Sequence, residues 1–153
     1  MSKKLERKTQ KEFAYEGFGF PVVLLRVPMV RVRGAWTPDV NYDQLARELL
    51  EALALKPGRL TGNEVRFIRH SLSMTLQDFA GRFGGVTHPA VIKWEQAEND
   101  PTTMNWAVEK DIRLEILRSV SKIKPREFLE AYSSLAKERT ATRRKMKLTV
   151  GAA

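Results

Sequence analysis

Residues 75–99 read TLQDFAGRFGGVTHPAVIKWEQAEN, and the spacing predicts two short helices joined by a glycine turn. Thr75 is placed to N-cap the first helix, with Asp78 three residues on, near the positive helix end. Leu76, Phe79, Ala80 and Phe83 repeat at helical spacing. Gly84 and Gly85 stop that helix and supply the backbone angles a sharp reversal needs. Thr87 can cap again, and Pro89 falls in the first turn of the second helix, where its missing N–H costs nothing. Val91, Trp94 and Ala97 follow at steps of three and face inward, leaving His88, Lys93 and Gln96 outside. That is the layout of a helix-turn-helix.

Working outward, Thr61 and Glu64 form a capping box that opens a helix with Val65, Ile68 and Leu72 inward and Arg66 and Arg69 at its surface. Before it, Asn41 and Gln44 form another box, and Leu45, Leu49, Leu50 and Leu53 follow to a stop at Lys56, Pro57 and Gly58. After the motif, Thr102 or Thr103 caps the longest helix, residues 104–123. Its stripe is Val108, Ile112, Ile116, Val120 and Ile123, widened by Leu114 and Leu117. Pro125 restarts the chain, with Phe128, Leu129, Tyr132 and Leu135 as a last stripe. Toward the N-terminus, residues 21–27 and 29–33 read as strands, and Pro28 between them argues against one uninterrupted central strand. Val30 and Val32 then face inward and Arg31 and Arg33 outward. Residues 34–39 read as a turn-rich connection. An isolated strand pair is marginal in water, so this unit must pack on a helix or pair with another copy.

The expected fold is therefore mainly α: a helix-turn-helix bundle with a small N-terminal β unit. The expected organisation is a mobile basic arm at 1–12, a β unit at 13–40, a helical domain at 41–136 with the motif at 75–97, and a basic tail at 137–153.

The 153 residues carry a net charge of +9 and no cysteine. Disulfides and thiolate metal sites are thereby excluded. No apolar run approaches the ~20 residues of a membrane span, and the first residues lack a signal-peptide core; a cytoplasmic protein is expected. Charge is uneven: +4 over residues 1–60, −1 over 61–100 and +6 over 101–153. The motif is near neutral and its flanks are basic, which favours a polyanionic partner. Solubility alone is the competing reading of those cations.

The stretch from Thr75 resembles the phage-repressor (Xre, or Cro/repressor-type) helix-turn-helix family. The matching elements are Thr75, Phe79 and Ala80, Gly84, Val86, Thr87, and Trp94 with Glu95. Gly85 is one residue extra, and Leu76 stands where the family often has Gln. More widely, EGFGFPVVLLRVP, RGAWTPD and LTGNEVRFIR look like parts of MqsA-type antitoxins, whose N-terminal zinc cysteines this chain lacks. The resemblance implies a repressor-type bundle that reads DNA with the helix at 88–96. It places His88, Pro89 and Lys93 at the family's base-contacting positions and Ile92 where a polar residue is common.

The chemistry agrees with that assignment. A major groove admits one helix and shows a distinct donor and acceptor pattern for each base pair. Lys93 can donate to guanine, His88 can meet a base edge or phosphate, and Pro89 and Ile92 offer apolar contact. Thr75, Gln77, Thr87 and Gln96 are the candidates for phosphate. Glu95 is read as an orienting residue paired with an arginine such as Arg82. Each of these residues taken alone is equally at home as a cap or a solvated side chain; the set and its spacing carry the reading.

Enzymatic readings find no support. His70 and His88 lack metal-site spacing, the glycines lack a phosphate-loop Lys-Ser/Thr, and no serine sits in a nucleophile elbow. The carboxylates read as solvated partners of neighbouring cations. The expected function is a sequence-specific double-stranded DNA-binding regulator, a repressor acting as a homodimer without cofactor or metal. The alternatives are an antitoxin that holds a toxin protein and represses its own operon, or a protein-interaction module that never touches DNA.

Overall fold

The computed structural model describes residues 4–120, 123–135 and 145–150, and the chain divides into two units, Met1–Glu48 with Lys145–Ala153, and Leu49–Arg144. The first unit is built on a mixed sheet. β1 (Arg7–Tyr15), β2 (Val22–Val32) and β3 (Ala35–Pro38) pair antiparallel in that order, and β4 (Met146–Thr149) lies parallel to β2. With 46% helix and 23% strand among the described residues, the fold is α/β. This corrects the mainly α expectation. Residues 7–12, read as an arm, belong to β1; the connection at 34–39 contains β3; and the basic tail contains β4. The parts of that tail at 137–144 and 151–153 lie outside the described residues.

β2 also runs straight through Pro28. Arg31 donates its N–H to the Glu6 carbonyl, so alternate residues here aim their backbone groups at β1 and the others at the opposite flank. Pro28 belongs to the second set, its carbonyl accepting the Asp39 N–H at 2.8 Å. Its missing donor faces the gap between β4, which pairs with Val22–Leu25, and β3, which pairs with Met29–Val32. The proline therefore deletes no rung from those pairings.

The inward face was also misread. Val22 and Leu24 are buried, then Val27 and Met29, so the alternation slips by one at Arg26. Arg26 adopts φ 54°, and it and Lys11 opposite drop out of the otherwise constant register. With that phase, Val30 is only half-buried and Val32 exposed, contrary to the expectation that both face inward.

α1 (Tyr42–Ala54) leads from the first unit into the second. Its Asn41 cap accepts the Gln44 N–H at 3.1 Å, but the Gln44 side chain turns to Glu48, so the box is half formed. The second unit continues with α2 (Gly62–Ser71), α3 (Leu76–Arg82), α4 (His88–Glu95), α5 (Trp106–Ser119) and α6 (Pro125–Leu135). Leu49, Leu53, Leu60, Val65, Ile68, Phe79, Phe83, Val91, Ile112, Ile116 and Leu135 are its core. α5 is shorter than expected. Asn105 caps it by accepting the Ala107 N–H, while Thr102 only takes the Met104 N–H, and Val120 ends the helix. On α6, Leu129 and Tyr132 point to solvent, so the last stripe is only partly inward.

Two local devices hold the helices in register. The C-terminal end of α4 meets the start of α2: Asn63 N–H donates to Glu98 O at 2.9 Å and Gly62 N–H to Asp100 O at 3.3 Å. A Cβ on Gly62 would lie 2.5 Å from Trp94 O and 2.7 Å from both Glu95 O and Glu98 N, all backbone atoms. Gly62→Ala is thus expected to cost about 3 kcal/mol, at the upper end for overpacking, measured as a lower urea midpoint; an unchanged midpoint would refute the close approach.

The other device is an ionic network that the sequence reading took for solvated surface. Glu109 and Arg113 are fully buried. Glu109 accepts from Arg59 Nε at 2.9 Å, Leu60 N–H at 3.2 Å, and Arg113 Nη2 at 2.8 Å. Arg113 also donates to the carbonyls of Lys56 and Gly58, tying α5 to the α1–α2 loop. Beside it, Lys56 and Glu64 form a buried pair at 2.7 Å.

Candidate nucleic-acid interface

α3 forms where its cap requires. Thr75 Oγ1 accepts the Asp78 N–H and Asp78 accepts the Thr75 N–H, a complete capping box. Phe83 leaves helical angles, and Gly84 (φ 83°) and Gly85 (φ 58°) carry the reversal. The Val86 N–H reaches back to Ala80 O at 3.2 Å, closing the turn. Thr87 stands at the N-cap of α4 with extended angles, yet its hydroxyl makes no capping bond. It is exposed and free to meet a ligand oxygen. His88 and Pro89 fill the first turn.

The inner side of α4 is fixed by three residues. Val91 is 0% and Trp94 8% exposed. Glu95, at 3%, accepts two bonds from Arg69, Nε at 3.1 Å and Nη2 at 2.9 Å, and a third from Arg66 Nε at 3.1 Å. Arg69 additionally donates to Met74 O, so one guanidinium joins α2, the start of α3 and the end of α4. This corrects two expectations: the partner of Glu95 is not Arg82, and Arg69 is largely buried. Arg82 instead bridges to Asp111 and Glu115, holding the end of α3 against α5. Hydrogen bonding from Arg118, aided by Arg82, holds the Glu115 carboxyl below the ordinary glutamate range in spite of desolvation.

With that side pinned, Thr75, Gln77, Thr87, His88, Pro89, Ile92, Lys93 and Gln96 are all exposed. His88, Pro89, Ile92 and Lys93 belong to α4, whereas Thr75 and Gln77 lie at the start of α3. Ile92 and Gln96 line a recess of about 400 Å³ with Leu76, Arg66, Arg69, His70 and Glu95. Arg66 and His70 are therefore additions to the candidate site. Their four-residue spacing on α2 puts them on one helix face, but only the packing of α2 on α4 brings that face to the recess.

A helix pinned by its inner side and presenting imidazole, ammonium and amide groups outward can donate to base edges or phosphate oxygens. Comparisons of the chain with family models, curated proteins and solved structures find no match. Among the described residues no helix is long and apolar enough to cross a membrane, and no three potential ligands cluster to hold a metal ion.

Proposed function

We propose that the chain is a sequence-specific double-stranded DNA-binding transcriptional regulator, a repressor whose α4 enters the major groove. The observation that carries this reading is the division of α4 into a clamped side (Val91, Trp94, Glu95) and an exposed side (His88, Lys93, Gln96). Lys93 and His88 are assigned to base edges, with Pro89 and Ile92 as apolar neighbours suited to a thymine methyl. Thr75, Gln77, Thr87, Gln96, Arg66 and His70 are assigned to the phosphates that set the register. One such module covers little DNA, so a homodimer on a two-fold-related pair of half-sites is proposed. Occupying the operator then blocks polymerase.

Mobility shift with genomic DNA fragments at two salt concentrations tests this: affinity should fall steeply with salt. Lys93→Ala should reduce discrimination at one base position by about 1–3 kcal/mol, read by selecting bound sequences from a random library. Absence of DNA binding at low salt would instead favour a protein-interaction module. A second reading, an antitoxin that also represses its operon, is favoured by one observation. Val23, Leu25, Pro28, Val30 and Val32 share the outer side of β2, none of them fully buried, an apolar row suited to a toxin protein. Co-purification of a small protein from the native cell tests it.

A further inference from the structure

We propose that the tip of the β2–β3 hairpin is a second contact to duplex phosphates, an inference that rests on the DNA-binding reading above. Val32 and Ala35 form the last pair, so Arg33 and Gly34 make a two-residue loop. Both have positive φ, 52° and 80°, the requirement of a type I′ turn, which favours Asn, Asp or Gly at its first central position. An arginine there is held in a left-handed conformation that asparagine would adopt more readily.

What the arginine provides is charge at an exposed apex. Among the described residues Arg33 makes no ion pair. The register places Lys8 and Arg31 with Trp36 on one face just below it. The Lys8 ammonium sits 4.4 Å from the Trp36 ring centre, a contact that orients the charge without neutralising it. Glu6 is the nearby carboxylate, reaching Arg31 at 3.4 Å with both side chains exposed. The tip is thus an exposed cationic projection beside a half-buried tryptophan, the composition suited to a phosphate backbone.

The test uses the full chain carrying Arg33→Asn, followed by thermal melting and by duplex binding across a salt series. Expected are a melting point equal to or above that of the parent, and a slope of log affinity against log salt shallower by about 0.9, one phosphate contact. Arg33→Lys and Arg33→Gln, which share the backbone cost and differ in charge, keep the inference falsifiable if Arg33→Asn disturbs the hairpin. The slope should survive in the first and fall in the second. Equal slopes in that pair, or an unchanged slope in Arg33→Asn, overturn the hairpin contact and leave the role of α4 standing. Failure of the parent chain to bind any duplex removes both.

Discussion

Replacing Glu109 with alanine is expected to lower the unfolding free energy by about 3–5 kcal/mol, enough to unfold a large fraction of molecules in a marginal domain. The carboxylate is 0% exposed and faces Arg113, also 0% exposed. Its removal leaves Arg113 without its counter-charge, while Arg59 and the Leu60 N–H lose an acceptor at the same moment. The carbonyls of Lys56 and Gly58 still accept from Arg113, but dipoles do not balance a buried charge. Replacing both members of the pair with Met or Leu should recover only part of the loss. An apolar pair removes the desolvation penalty together with the attraction, but Arg59, the Leu60 N–H and the carbonyls of Lys56 and Gly58 stay without these partners. Urea unfolding of the single and double variants decides the matter. A single-variant loss below about 1 kcal/mol would mean that the carbonyl cage suffices alone.

Glu95→Ala should cost about 3 kcal/mol in stability and, separately, weaken the proposed DNA binding at temperatures where the variant is still folded. The two effects have different origins. Stability falls because Arg69, with an 11% exposed side chain, loses its buried partner; Arg66, 55% exposed, can turn to water. Binding falls because the same guanidinium also holds Met74 O ahead of α3, so the angle between α3 and α4 loses its shared anchor. Glu95→Gln retains the shape and part of the hydrogen bonding and should fall between parent and alanine in both measurements. Full DNA affinity in folded Glu95→Ala would show that Val91 and Trp94 fix α4 without help.

What could be read from the sequence was mostly local, although the Asn41–Gln44 box formed only in half and Asn105, not Thr102 or Thr103, caps α5. The Thr61–Glu64 and Thr75–Asp78 boxes formed because a cap closes over three residues and needs no distant partner. The Gly84–Gly85 reversal and the exposed positions of α4 follow from the same short range. Features decided by distant partners were missed. Pro28 looks like a strand breaker until β3 and β4 are seen to leave its flank open. The slip at Arg26 depends on a left-handed backbone that arginine does not advertise. β3 and β4, of four residues each, carry too little pattern to stand out from a turn and a basic tail. Glu109 and Arg113 have the i,i+4 spacing of an ordinary surface pair, and only the docking of the α1–α2 loop buries them. At the candidate site the same division holds: α4 was legible, whereas Arg66 and His70 came from α2 by packing.

The parallel pairing of β4 with β2 joins segments roughly 120 residues apart in the chain. During synthesis the entire helical body leaves the ribosome before the last strand of the sheet does. The sheet must wait with one flank of β2 uncovered, a row of unpaired backbone N–H and C=O groups along Val22–Leu25. Closing so large a loop is entropically slow, which makes nascent chains stalled short of residue 146 the species most exposed to mispairing with one another.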